Sequence, residues 1–365
     1  MKLKAIFITA GTLLSSSIYA APNDAFLQAS EFKPSESPLR VTLALDAVND
    51  TLDVFDFRES EGVTGTLGDY LGANIQAQYQ LNPQWSLEGQ YYYRDIDTSP
   101  DTNTIHTGLF GVRYTPELNL AKGDSVALRA SIWGNRADEL KRSPRTMVNQ
   151  HSFENIVVDQ PQDLQLQLDG LFSRKIDHMN QVNGFVSAGY SKVEVDSLNM
   201  RARYRGCLAD IHVRSNNYYT GHLAEPCVIG GAVVTDLNIE GDATDYGLDM
   251  NQDMNYDSFY ASFGGSWNWR YQNFESQLAY QYQRLWRDGV DDRVSKQGHT
   301  SVEDNHTFGL KLSYDLSPNA TAFVKGEVYE SNFVGQIPFL YNSTTASNLD
   351  RRYGLATVGV TLHGF

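Results

Sequence analysis

From residue 39 onward the chain alternates apolar and polar side chains, run after run, and this alternation decides what it can fold into. Leu39, Val41, Leu43 and Leu45 interleave with Arg40, Thr42, Ala44 and Asp46. Leu71, Ala73, Ile75, Ala77, Tyr79 and Leu81 interleave with Gly72, Asn74, Gln76, Gln78 and Gln80. After Asn82-Pro83 the pattern resumes with Trp85, Leu87, Gly89, Tyr91 and Tyr93 against Ser86, Glu88, Gln90, Tyr92 and Arg94. A period of two places one set on each face of a strand. The pattern returns near 104–116, 124–135, 161–174, 181–194, 255–271, 273–287, 303–316, 319–331 and 351–365. Counted together, these runs make about twelve strands, and no stretch carries a convincing helical period.

The connections alternate as well. Asn82-Pro83, Asp177–Asn180, Gln272-Asn273 and Ser317-Pro318-Asn319 are tight, whereas 50–69, 97–103, 136–160, 195–254, 288–302 and 332–350 are long and polar. Short turns at one end and long loops at the other describe an antiparallel transmembrane β-barrel, with periplasmic turns and extracellular loops. An exported soluble β-sandwich or propeller would share the alternation but not this asymmetry. Taken as outward-facing, Trp85, Tyr114, Phe172, Trp267, Trp269, Tyr271 and Phe274 gather near the short turns. Tyr91, Tyr93, Phe259, Tyr282 and Trp286 gather near the long loops. Two such girdles mark the membrane interfaces.

Composition closes other routes. Past residue 20 no apolar run approaches the roughly 18–20 residues of a transmembrane helix. A net charge of −15 argues against nucleic acid as a partner. Two Cys are too few for a disulfide scaffold or a zinc ribbon. Residues 1–20 read as a cleaved export signal, with Lys2 and Lys4 before an apolar stretch and small residues leading to Ala20. The expected organisation is therefore a signal peptide at 1–20, a periplasmic segment at 21–38 and the barrel at 39–365. Export to an oxidising compartment makes Cys207 and Cys227, both in the loop 195–254, an expected disulfide.

The chain ends Val358-Gly359-Val360-Thr361-Leu362-His363-Gly364-Phe365. This resembles the terminal strand of Gram-negative outer-membrane barrels, alternating and closing on Phe. The resemblance implies an outer-membrane location, contact with its lipids, and recognition of Phe365 by the barrel-assembly machinery. Phe365 breaks the parity of Val358, Val360 and Leu362, so a bulge is expected near Gly364.

Inward parity collects a neutral lining that includes Gln76, Gln78, Gln90, Gln165, Gln167, Gln277, Gln281 and Gln283. It also collects Arg40, Arg94, Arg113, Arg129, Lys175, Arg270, Arg287, Lys311 and Lys325, set against Asp46, Glu88, Asp163, Asp169, Glu275, Asp315 and Glu327. The interior thus leans basic although the chain is acidic. One reading is a narrow channel for small polar or anionic solutes, similar in kind to twelve-stranded outer-membrane channels for acidic sugars. The other is a salt-bridged filling of a structural or surface-interaction barrel. A lipid-modifying enzyme is a third class, because outer-membrane phospholipases are also twelve-stranded and use a His-x-Ser pair. Here His106 and His306 are followed two positions on by Gly108 and Phe308, so no catalytic residue and no cofactor is assigned. Loop 195–254 accumulates Glu225, Asp236, Glu240, Asp242, Asp245, Asp249 and Asp253. Calcium would suit such oxygens, but the spacing matches no EF-hand, and a solvated acidic face is the simpler reading.

Overall fold

The structure is a computed structural model that describes residues 24–31, 38–48, 69–97, 101–143, 146–148, 151–204, 207–296, 300–331, 333–343, 345–350 and 352–364. The expected signal at 1–20 and Phe365 lie outside the described residues.

Twelve antiparallel strands close on themselves. They are β1 (Leu39–Val48), β2 (Asp69–Gln80), β3 (Trp85–Asp97), β4 (Thr102–Tyr114), β5 (Asp124–Arg136) and β6 (Gln162–Lys175). The circuit continues with β7 (Asn180–Glu194), β8 (Tyr256–Tyr271), β9 (Phe274–Arg287), β10 (Asp304–Ser317), β11 (Ala320–Tyr329) and β12 (Tyr353–His363). β1 completes it by pairing with both β2 and β12, Leu43 facing Ile75 on one side and Val360 on the other. Closure leaves no strand edge, which a sheet in a hydrocarbon medium requires. Parity then sorts the side chains: on β6, Leu168 is 67% exposed while its neighbours Gln167 and Asp169 are 7% and 3% exposed. Apolar groups face out and polar groups face in, the reverse of a soluble protein.

The short turns are held by side chains that replace backbone partners. Asn82 Oδ1 accepts from the amides of Gln84 (2.9 Å) and Trp85 (3.0 Å). Asp177 Oδ1 accepts from Met179 N–H at 2.7 Å and Asn180 N–H at 2.8 Å, and the first of these bonds leads in holding its carboxyl below the usual range. Both aromatic girdles are present. At the short-turn end Trp85 packs on Tyr114 (centroids 4.7 Å) and Trp269 stacks on Tyr271 (6.3 Å). At the long-loop end Tyr190 meets Phe259 (5.2 Å). Gly364 takes the left-handed conformation (φ 84°), in keeping with the irregularity expected there.

Two of the long connections are not irregular loops. Strands Glu139–Arg142, Thr146–Val148 and His151–Asp159 from one join Ser197–Tyr204, Cys207–Arg214, Tyr218–Leu223 and Asn238–Asp242 from the other in a seven-stranded sheet outside the barrel. Leu198, Met200, Val213, Tyr219 and Met250 form its core, with Ile156, Val158, Ile211 and Ile239 packed against it. The sequence concealed this sheet because its strands are short and pair between connections far apart in the chain. Three short helices, Met250–Asp253, Val290–Lys296 and Ala346–Leu349, were likewise not foreseen. Cys207 and Cys227 are joined, tying the small hairpin Cys227–Ile229/Ala232–Val234 to this sheet.

A loop of this length is stabilised by a disulfide to about 3 kcal/mol in the chain-entropy model. Cys207→Ser with Cys227→Ser is expected to open the outer sheet to protease around 224–236 while the barrel keeps its thermal unfolding midpoint. A parallel drop in barrel stability, measured by circular dichroism in detergent, would show that the sheet is not an independent unit.

Candidate functional site

The lumen is where the polar residues converge. Glu88 on β3 faces Gly111 on β4, and the absence of a side chain there lets its carboxylate reach past to β5. On β5, Arg129 Nε meets Glu88 Oε2 at 2.8 Å and Arg129 Nη1 meets Asp169 Oδ2 on β6 at 2.9 Å. Arg113 stands directly opposite Arg129, with its Nε 3.5 Å from Glu88 Oε1. Two guanidiniums side by side would repel; two carboxylates flanking them make the group neutral. All four side chains are almost wholly buried.

A second group sits on β10 and β11. Lys311 and Lys325 are direct cross-strand partners, as the turn at Pro318 implied. Lys325 Nζ is 2.6 Å from Glu327 Oε2, and Lys311 Nζ lies 5.0 Å from the Phe323 ring centroid. Glu327 thus balances Lys325, whereas Asp169 belongs to Arg129. Nearby on β1, Asp46 accepts from Asn74 Nδ2 at 2.9 Å. Arg94 lies over the Tyr92 ring at 4.2 Å and donates to Thr107 Oγ1 at 2.5 Å.

The remaining charges hold the two mouths. At the short-turn end Arg270 Nη1 meets Glu275 at 3.0 Å and Arg270 Nη2 bonds Asp315. There Arg40 also bonds Glu31 (2.6 Å) and His363 (3.2 Å). Lys175, expected to face inward, is exposed. At the long-loop end Arg287 reaches Asp291 (3.1 Å), the carbonyl of Val302 (2.7 Å) and the Tyr341 ring (3.8 Å). Burial pushes the Asp291 carboxyl up, against the pull of Arg287.

Two chain segments enter the barrel, and neither was foreseen. The first lies within 21–38, expected from the sequence to be a periplasmic segment: residues 24–31 lie against the lumen wall. Arg113 Nη1 donates to the Gln28 carbonyl (3.0 Å), Ser173 Oγ accepts from Ala29 N–H (2.9 Å), and Gln181 Nε2 donates to the Ser30 carbonyl (2.8 Å). The second is 333–343, from a connection read as an extracellular loop. Asn135 Nδ2 donates to the Gln336 carbonyl (2.9 Å) and Tyr256 Oη to the Pro338 carbonyl (2.7 Å). Ile337, Phe339 and Tyr341 join Tyr256, Leu285, Val294 and Tyr353 in an apolar cluster that closes the long-loop end. Asp253 fastens this closure: Arg293 grips it with two bonds of 2.6 Å and Ser343 Oγ donates at 2.7 Å.

The signal missed was aromatic. Phe185, Tyr260 and Phe323 have inward parity, and each stands opposite a glycine, Gly264, Gly189 and Gly359 respectively. A Cβ on any of the three glycines would lie within 2.6 Å of the facing ring. Inward aromatics paired with inward glycines fill space across a barrel, which a purely aqueous pore does not need. On the outward face His106 bonds Tyr91 Oη (2.7 Å), and His306 bonds Tyr280 Oη (2.8 Å) and stands 3.6 Å from Glu330 Oε2. Among the described residues no group of three or more His, Cys, Asp or Glu is placed to hold a metal. Asp242 and Asp249 cap short helices instead.

Closed antiparallel strands, an apolar exterior between aromatic girdles and a charged interior define a transmembrane β-barrel of the outer-membrane type. No family model matches the sequence, and no curated protein matches it. Among solved structures the barrel is similar to the NanC porin (9% identity, 89% of this chain and 100% of that one, TM-score 0.39). It is likewise similar to the CymD monoaromatic hydrocarbon channel (9%, 91% and 90%, 0.39). A third is the translocator domain of autotransporter NalP from Neisseria meningitidis (9%, 89% and 88%, 0.46). Similarity at this level concerns the fold alone.

Arg129 is the residue on which the buried charge group turns. Arg129→Met should destabilise the barrel by about 3–5 kcal/mol, because Glu88 and Asp169 would be left buried and unpaired. Adding Glu88→Gln and Asp169→Asn should recover most of the loss in urea titrations. A single variant as stable as the parent would show that the cluster is hydrated rather than mutually dependent.

Proposed function

We propose that the protein is an outer-membrane channel for small polar or anionic solutes, held closed in this conformation by residues 24–31 and 333–343. The observation that carries the reading is a set of buried inward-facing atoms without a protein partner: Gln90 Oε1, Ser131 Oγ, Ser187 Oγ, Ser191 Oγ, Arg113 Nη2 and Arg129 Nη2. In a dry interior each would cost about 1–3 kcal/mol. Water entering once the two segments withdraw would satisfy them, whereas a filling built only for stability would not retain them.

The anionic preference follows from who supplies the counter-charges. Glu31, which neutralises Arg40, and Asp24, which lies in the field of Lys325, belong to the entering segment and not to the wall. With that segment withdrawn, the wall alone presents more positive charge, in a space less screened than the acidic loops. The channel reading takes the export signal at 1–20, the outer-membrane lipids as surroundings and Phe365 as the mark read during assembly to be parts of the same proposal. The apolar cluster around Tyr256, Phe339 and Tyr341, together with the outer sheet, favours a second reading: a non-conducting barrel that displays a surface for interaction.

Single-channel recording in planar bilayers tests the choice. Current steps are expected, with reversal potentials in a salt gradient showing anion preference. Lys311→Glu with Lys325→Glu should shift selectivity toward cations, since Glu327 would then lose its partner. Cation preference in the parent protein would refute the anionic part, and silence under all conditions would favour the second reading.

A further inference from the structure

What fills the short-turn half of the lumen is a stretch of peptide, and the wall meets it chiefly through its main chain. Arg113 on β4 donates to the Gln28 carbonyl, Ser173 on β6 accepts from the amides of Ala29 (2.9 Å) and Ser30 (3.1 Å), and Gln181 on β7 donates to the Ser30 carbonyl. Contacts of this kind serve a peptide backbone whatever its side chains; here that backbone turns at Ala25-Phe26, where Asp24 Oδ1 accepts from Phe26 N–H (2.8 Å), and bends at Ala29-Ser30. Specificity falls to two polar side-chain contacts, Asn268 Nδ2 to Gln28 Oε1 (3.3 Å) and Arg40 to Glu31, and to two apolar places. Leu27 and Ala29 sit in a pocket that includes Trp133, Leu171 and Phe185. Phe26 lies against Gly309, where a Cβ would come 2.4 Å from its ring, and Lys325 Nζ stands 5.8 Å from the ring centroid. We propose that this wall is a binding groove for short peptides, and that residues 24–31 are its intramolecular, exchangeable ligand.

Exchange is reasonable on three physical grounds. Residues 24–31 contribute no strand to the barrel, so their departure breaks none of its ladder. The wall side chains already have one another: Ser173 Oγ and Gln181 Nε2 both bond Asn183 Oδ1, at 2.7 Å and 2.8 Å, and water can take the places the segment leaves. Burial of Phe26 and Leu27 together with the segment's hydrogen bonds is opposed by the conformational freedom lost in ordering the whole segment, terms of comparable size that leave the docked state only modestly favoured. Glu31 and Arg40 mark the mouth at which the segment enters, so a competing peptide would arrive from the short-turn side. That the groove controls passage rests on the channel reading; that it binds and releases peptide does not.

Two measurements on the full chain in vesicles test this. The first is labelling of Ala29→Cys by a charged maleimide. The thiol is expected to react in the folded protein, faster when the octapeptide Asp-Ala-Phe-Leu-Gln-Ala-Ser-Glu is added and unchanged by a scrambled octapeptide. Phe26→Ala, introduced into the same variant, should speed labelling without peptide. Protection of the thiol until the barrel unfolds, or equal effects of both peptides, would overturn the proposal. The second is Ala29→Cys with Ser173→Cys, oxidised to lock the segment. Loss of current on oxidation and its return with dithiothreitol, which should leave the parent unchanged, supports the groove as the gate. Exchange by labelling with no current in either state keeps the groove and sinks the channel reading instead.

Discussion

Ring closure of the sheet is the constraint from which the rest of this molecule follows. A strand in a hydrocarbon medium has no water for its amides and carbonyls, so every one must find a partner in a neighbouring strand, and the last strand must meet the first. β1 does this by pairing with β2 and β12 over nearly its whole length. Once the ring is closed, strict alternation leaves only two environments. The outer face must be apolar, and whatever is polar must share the lumen.

That confinement explains the form of the charge groups. Arg113 and Arg129 are brought face to face by register, not by attraction, and the arrangement is tolerable because Glu88 leans across Gly111 and Asp169 stands at the other side. Lys311 and Lys325 repeat the problem on β10 and β11, with Glu327 as the local answer. Such groups specify one arrangement of the wall, since a strand slipped by a residue would turn each charge toward lipid.

The two ends of the lumen are closed by different chemistry. The long-loop end is sealed by an apolar cluster that Asp253, Arg293 and Ser343 tie together across three connections. The short-turn end holds residues 24–31 on main-chain hydrogen bonds and two apolar contacts. The first resembles a protein core and the second a bound ligand, so a channel of this design would open at the short-turn end with less disruption.

The sequence by itself determined the twelve strands, the side of each that faces lipid, the girdles and the inward parity of wall charges such as Arg113, Arg129, Lys311 and Glu327, though not that of Lys175. Alternation and turn chemistry are local, and a side chain's parity is decided within its own strand. Hence the neighbourhood of Lys311 and Lys325 was legible across one short turn. The partners of Arg129 were not, because Asp169 comes from a strand reached only after a long connection. Only the tertiary structure decided that 136–160 and 195–254 share a sheet, that 333–343 folds inward and that residues 24–31 occupy the lumen. Those segments lack the period that declares a barrel strand, and their contacts join residues far apart in the chain. Which of many polar surfaces such a segment meets depends on a volume that exists only after the ring has closed.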